Sequence, residues 1–350
     1  MTILLIAATY VFTPIVVPGS SIQVAFGLND SEQTMVTTAD GVSGVYRRGT
    51  FTPLPPSDAG LATGFGINND GVITGTITLA DGSDQGFILS GSTYTTFSRP
   101  GFIYTAPRAI DNAGMVTGFS FNAVPTVGSR GFLYDPATGT FTDVTPSGST
   151  FTLVQGSNVA GQVTGNSQGR GVTRYGFVWQ GGSFTTFRVG DLRTNVRGIN
   201  DAGLMTGFNL TLSANAAGFI GTPSTGFDRI AAPDADEFGT SCEGINNLRQ
   251  VVCVYVDAAG VGRAFIASLP EVALARLLDD VTGVGPGKSF EAKVMDAQTD
   301  YAGADIASTC ADLNDLLKEV KAQTGKKVSA AVAGFMSTNT TAIQSAIGCR

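Results

Sequence analysis

Of the residue types that could do chemistry, one is missing altogether: the 350-residue chain contains no histidine. Ser/His/Asp triads, Cys/His dyads, HExxH zinc sites and three-histidine metal sites are therefore excluded together. Catalysis would have to rest on carboxylates, Tyr, Lys, Arg or a metal. Paired acids stand at Asp81/Asp84, Asp234/Asp236/Glu237 and Asp279/Asp280. Ala80-Asp-Gly-Ser-Asp84 is a tight, oxygen-rich loop that could hold Ca²⁺ through Asp81 and Asp84; Asp, Gly and Ser are equally the residues of a plain turn between strands. A second set, Arg108, Asp191, Arg193, Arg197 and Glu243, is expected in loops that lead into recurring strands. Arg193 and Arg197 would set two cations near one face, suited to an acidic ligand such as a uronate; the alternative is isolated surface arginines. Gly285-Pro-Gly-Lys-Ser289 resembles a phosphate loop only superficially, because position 282 is Thr and no strand leads into it. It reads as a helix start. Trp179, after Gly-Phe-Val, reads as core more readily than as a sugar-stacking ring.

What positions these residues is a repeat. Gly27-Leu-Asn-Asp, Gly66-Ile-Asn-Asn, Ala109-Ile-Asp-Asn, Gly156-Ser-Asn-Val, Gly198-Ile-Asn-Asp and Gly244-Ile-Asn-Asn recur at intervals of 39, 43, 47, 42 and 46 residues. A second anchor follows each: Gly44-Val45, Gly86-Phe87, Gly131-Phe132, Gly176-Phe177, Gly218-Phe219 and Ala264-Phe265. A third, an aromatic opening a β-prone run, follows in five repeats at Phe51, Tyr94, Phe141, Phe184 and Phe227. The sixth repeat lacks it, but Phe12-Thr-Pro-Ile near the chain start has the same pattern. Asn and Gly suit hairpin turns because both tolerate positive φ. The recurring phenylalanines supply an inter-repeat core. Units of 40 to 50 residues with four short strands each are the signature of a propeller. The prediction is an all-β, six-bladed β-propeller over residues 9–269, its four-stranded last blade closed by the N-terminal strand.

These motifs resemble the HAF-type extracellular repeat of bacterial secreted proteins; GINNDGVITG at 66–75 and GINDAGLMTG at 198–207 match its pattern well. The resemblance covers about residues 9–269 and implies a secreted β-propeller, with no common activity attached. The histidine that the family places before Ala-Phe is replaced here by Gln85, Arg130, Tyr175, Ala217 and Arg263.

After Pro270 the composition changes. Residues 271–350 hold 18 charged side chains in 80, against 31 in the preceding 270, and the apolar period turns helical. The prediction is a small all-α domain over 271–350, with Leu274, Leu277 and Val281 on the first helix and Ser329 capping the fourth. It resembles a helical module at the C-terminus of many bacterial extracellular proteins. Four cysteines allow three pairings. Cys242 and Cys253 flank a hairpin turn symmetrically, and Cys310 and Cys349 share the helical region, so Cys242–Cys253 and Cys310–Cys349 are expected.

An even cysteine count and a charge-poor, Gly/Ser/Thr-rich surface suit an extracellular location. Met1–Ala8 is too short for a complete signal peptide and lacks a basic start, which fits a mature chain, or one whose leader is trimmed or misassigned. The net charge of −7 argues against a nucleic-acid partner, and no apolar run is long enough for a helical membrane span. The leading expectation is a secreted, non-catalytic propeller serving as scaffold or binding module for an extracellular glycan, with no cofactor unless Ca²⁺. Two alternatives stand beside it. One is a polysaccharide lyase or hydrolase using carboxylate, Tyr and Arg. The other is a filament or surface-layer subunit that self-associates by exchanging strand 10–17.

Overall fold

A computed structural model describes residues 9–122, 128–190, 193–210 and 216–349. Over these residues the chain is mostly β, with four helices. It divides into two compact units: Val16–Ala264, and the described residues up to Ile15 together with Phe265 onward.

The larger unit is a succession of antiparallel meanders. β2–β5 span Ile22–Leu28, Thr34–Thr38, Ser43–Arg47 and Thr50–Pro53. β6–β9 span Leu61–Ile67, Ile73–Thr78, Asp84–Ser90 and Thr93–Phe97. β10–β13 span Tyr104–Ile110, Val116–Phe121, Arg130–Asp135 and Thr140–Asp143. β14–β17 span Ser149–Ser157, Val163–Gly169, Tyr175–Gln180 and Ser183–Phe187. β18–β21 span Arg193–Ile199, Met205–Leu210, Ala216–Thr222 and Gly226–Ile230. β22 and β23 span Ala235–Ile245 and Val251–Asp257, and β24 (Gly262–Ser268) runs from this unit into the other.

The Asn-rich motifs form the turns between the first two strands of each meander, and the Gly-Phe anchors lie on the third, as the repeat predicts. Phe87, Phe132 and Phe177 are fully buried and Phe219 nearly so. Each sits on a face packed by its own repeat and the one before, with edge-on rings at Tyr94, Phe141, Phe184 and Phe227 about 5 Å away. Trp179 packs beside Phe177 and Phe184 as core. Cys242 and Cys253 face each other across β22 and β23 and form the expected disulfide.

The second unit contains β1 (Val11–Ile15), the end of β24 and helices α1 (Pro270–Val281), α2 (Ser289–Ala302), α3 (Ile306–Gln323) and α4 (Ala330–Ile347). β1 lies beside β24 of its own chain, with Phe12 and Phe265 rings 4.7 Å apart. Leu274, Leu277, Val281, Phe290, Val294, Leu313, Leu316 and Met336 build the helical core, and Val11 is fully buried with them. That burial is why the compact division falls inside β24, a few residues before the composition change at 270. Asp305 caps α3 by accepting from Ser308 N, and Ser329 caps α4 by accepting from Val332 N. Cys310–Cys349 ties α3 to the residue just past α4, as expected.

Candidate functional site

The site begins with a slip in the ladder. In five meanders the pairing of first and second strand skips one residue immediately before the motif's first small residue. The skipped residues are Phe65, Arg108, Gln155, Arg197 and Glu243. A bulge takes its side chain out of the alternation and re-aims it. In the first meander Gly27 is the skipped residue, and Phe26 takes the equivalent position. The re-aimed side chains meet. The Arg108 guanidinium stands 4.1 Å from the Phe65 ring centre, 5.9 Å from Phe26 and 5.1 Å from Phe119. Arg197 Nε lies 3.0 Å from Glu243 Oε2. Residues from at least five repeats thus share one central region. Small residues permit it: a Cβ on Gly66 would come within 2.7 Å of Ala109 Cα, and one on Gly244 within 3.0 Å of Gly27 N.

Cations outnumber anions in this region. Arg108 is half-buried; desolvation, then the charge of Arg197, pushes it down to about 10. Arg174, on the turn before β16, is pushed down by burial and by Arg193 and Arg197. Its guanidinium covers Phe151 at 4.4 Å and donates to Asn195 Oδ1 at 2.8 Å. Among the described residues Glu243 alone answers these arginines by a direct ion pair, and it also accepts from Ser241 Oγ. Among the described residues several buried donors have no hydrogen-bond partner: Arg108 Nε, Arg174 Nε, Gln155 Nε2, Asn166 Nδ2 and Asn195 Nδ2. Among the described residues the same region holds two acceptor oxygens without a hydrogen bond, Asn166 Oδ1 and Glu243 Oε2, the second of them in the ion pair with Arg197. A buried set rich in unpaired donors beside excess positive charge is chemically suited to an anionic or oxygen-rich ligand.

At the turn end the same six repeats are sewn together. Asn29 Nδ2 donates to Asn68 O at 2.9 Å, Asn68 to Asp111 O at 3.2 Å, Asn158 to Asn200 O at 2.9 Å and Asn200 to Asn246 O at 3.0 Å. Asn246 then donates to Asn29 O at 3.1 Å and brings the sixth repeat back to the first. A second circle uses the following residue: the backbone N–H groups of Asp30, Asn69, Val159, Asp201 and Asn247 donate to Asn69, Asn112, Asp201, Asn247 and Asp30 side chains. The cavity left inside is about 60 Å³, room for a few waters and far below the size of a ligand pocket.

The structure relocates several predicted residues. Arg108, Arg197 and Glu243 are not in loops but on β10, β18 and β22, because the bulge turns strand positions inward. Arg193 is exposed at the start of β18. Asp191 lies outside the described residues. Asp81 is held by Ser83, whose N and Oγ both donate to it, while Asp84 accepts from Thr78 Oγ1. The two carboxylates are thereby spent on separate turn and strand contacts. Among the described residues no group of three or more acidic or cysteine side chains is placed to hold a metal. Asp234 accepts from Tyr255, Asp236 caps a turn at Phe238, Asp279 pairs with Arg276 and Asp280 accepts from Asn339. The reading of the sequence missed Gln155, Asn166, Arg174 and Asn195. A signal existed for the first: the residue before the motif changes from repeat to repeat while its neighbours hold.

No family model matches the chain, and no curated protein matches it. Solved structures do resemble it at low identity. A protein of unknown function from Dyadobacter fermentans is 12% identical, with 75% of this chain and 98% of that one covered and a TM-score of 0.48. The Aleuria aurantia lectin, in complex with Fucα1-6GlcNAc, is 10% identical over 71% and 92%, with a TM-score of 0.46. A subtype N11 neuraminidase-like protein from a flat-faced bat influenza virus is 13% identical over 75% and 94%, with a TM-score of 0.44.

Proposed function

We propose that residues 9–269 form a six-bladed β-propeller, its last blade completed by β1, and that it is a secreted, non-catalytic module binding an acidic extracellular glycan at the central arginines. The single observation carrying this reading is the buried donor set: Arg108, Arg174, Gln155 and Asn195 present N–H groups that no atom of the described residues accepts. Carboxylate or sulfate oxygens would satisfy them. Arg108, Arg174 and Arg197 are the half-buried cations that a glycan end would meet. Two disulfides favour an oxidising compartment. The non-catalytic reading is supported by the carboxylates' engagement: Glu243 is ion-paired, and the other paired acids are tied into local contacts.

The test is a glycan array carrying uronate, sulfated and neutral glycans, followed by titration at rising salt. Binding should favour the acidic set, weaken with ionic strength, and fall at least tenfold in Arg174→Gln. Release of new reducing ends or unsaturated uronates from a polysaccharide by the wild-type chain would overturn the non-catalytic reading.

A further inference from the structure

A different part of the larger unit carries a second site. Two grooves open at the turn end, away from the central arginines, and their walls come from equivalent positions of repeats one and four. The first, about 550 Å³, is lined by Gln33, Val45, Arg47, Arg48, Thr50 and Thr52. The second, about 630 Å³, includes Gln162, Val178, Gln180, Ser183 and Thr185, with Met205 and Asp201 from the next repeat. Both volumes fall in the range of small-molecule sites.

The equivalence extends to the wiring. Gln33 Oε1 accepts from Asn29 Nδ2 at 2.8 Å, and Gln162 Oε1 from Asn158 Nδ2 at 2.9 Å. This fixes each amide with its Nε2 donor on the far side, where among the described residues no protein acceptor is recorded for it. Arg47 Nε donates to Ser31 O at 3.2 Å, and Gln180 Nε2 donates to Ala160 O at 3.0 Å, so one long polar side chain crosses the same end of each groove. Repeats two, three and five carry Val72, Met115 and Leu204 where these glutamines stand, and Ile88, Leu133 and Ile220 where the valines stand. Val72 and Ile88 pack into an apolar cluster with Ile110, Val116 and Phe132. Repeats one and four therefore combine a shorter floor residue with a free amide donor.

We propose that these two grooves are binding sites for neutral pyranose units of a glycan, one unit in each. Exposed hydroxyls line both walls, Thr50 and Thr52 beside Arg47 and Arg48 in one groove, Ser183 and Thr185 in the other. Each hydroxyl both donates and accepts, as a sugar hydroxyl does. Val45 or Val178 gives an apolar floor for the ring's C–H face. The carboxylate in the second groove, Asp201, accepts from Val159 N and Asn247 Nδ2 and is thereby held by the turn circle.

The experiment uses the full chain and saturation-transfer NMR with methyl glycosides of D-glucose, D-galactose, D-mannose, L-fucose and N-acetyl-D-glucosamine. At least one should bind, with two sites by titration calorimetry. Gln162→Leu with Val178→Ile should remove one site, Gln33→Val with Val45→Ile the other, and all four changes both. The surface changes Thr52→Ala with Thr185→Ala, which leave the fold alone, should weaken binding about threefold or more. No binding of any neutral glycoside, or binding that survives all four substitutions, overturns the inference. Arg174→Gln should leave this binding unchanged, and acidic-glycan binding should survive the groove changes, so failure here and failure of the central site are read separately.

Discussion

Five of the six junctions around the turn circle are alike, and one is not. Between the third and fourth repeats the side-chain donor that should leave Asn68's counterpart is missing, because Asp111 stands where the other five repeats have Asn. Its carboxylate instead accepts from Ser157 Oγ at 2.9 Å and from the N–H groups of Ala113 and Met115. The second circle breaks at the same place: Val159 has no acceptor to offer Asn112 N–H. Ala109 also replaces the glycine found at this point in every other repeat. Three independent substitutions fall on one junction. The difference separates what the turns need locally from what they supply to their neighbours, since Asp111 still closes its own turn but crosses the junction by accepting from Ser157 instead of donating to a carbonyl.

The comparison breaks most sharply if an intact junction is cut. Asn246 is buried and donates to Asn29 O and Gln250 Oε1 while accepting from Leu248 and Gln250 N–H. Asn246→Ala should cost about 3 kcal/mol, because several buried groups lose their only partner. Ser157→Ala, at the odd junction, loses one bond and should cost about 1 kcal/mol. Urea denaturation with an unchanged slope reads both. Equal costs would mean that the continuous circle adds nothing beyond its local turns.

How much of this was legible beforehand follows from what each residue type signals. The repeat period, the Gly-Phe anchors and the disulfide pairs are visible because they rest on local turn chemistry and on apolar residues at fixed spacing. The inward aim of Arg108 and Arg197 was hidden, since a bulge displaces them by one position from simple alternation, and loops seemed their natural place. Arg174, Asn166 and Asn195 carried no periodic signal at all; they matter only because folding brings separate repeats together. The grooves were likewise invisible, although Gln33 and Gln162 differ from Val72, Met115 and Leu204 in plain sight. Their meaning required knowing that one side of each amide is bound to an Asn and the other is open.

Asp111 allows the odd junction to be repaired. Burial pushes its carboxyl above the usual value of 3.8, with Ser157 and two backbone N–H groups opposing and Asp201 adding to the rise. A carboxyl whose pKa is higher in the folded state binds protons more readily there, so its contribution favours the native state at low pH and is lost as pH climbs through the folded value. Asp111→Asn removes that dependence and supplies the missing donor. It should stabilise the chain by about 1 kcal/mol at pH 7. The gain should shrink as pH falls toward 3.8, because there the wild-type carboxyl is protonated too. A gain that stays constant with pH would assign the benefit to the new hydrogen bond alone.

The smallest effect is expected from the second circle. Val159 is 54% exposed, so Val159→Asn buries nothing and pays little to desolvate its amide. Its Oδ1 would face Asn112 N–H as Asn112 Oδ1 now faces Asn69 N–H at 2.9 Å. An exposed hydrogen bond of this kind is worth about 0.5 kcal/mol. Alone, the change should raise the melting temperature by a degree or so. Joined to Asp111→Asn it should gain more than the two single effects combined, because both links cross the same junction and each orders the groups that the other uses. Strict additivity in that double-mutant cycle would show that the two circles are thermodynamically separate, and that the odd junction is two unrelated gaps that happen to lie side by side.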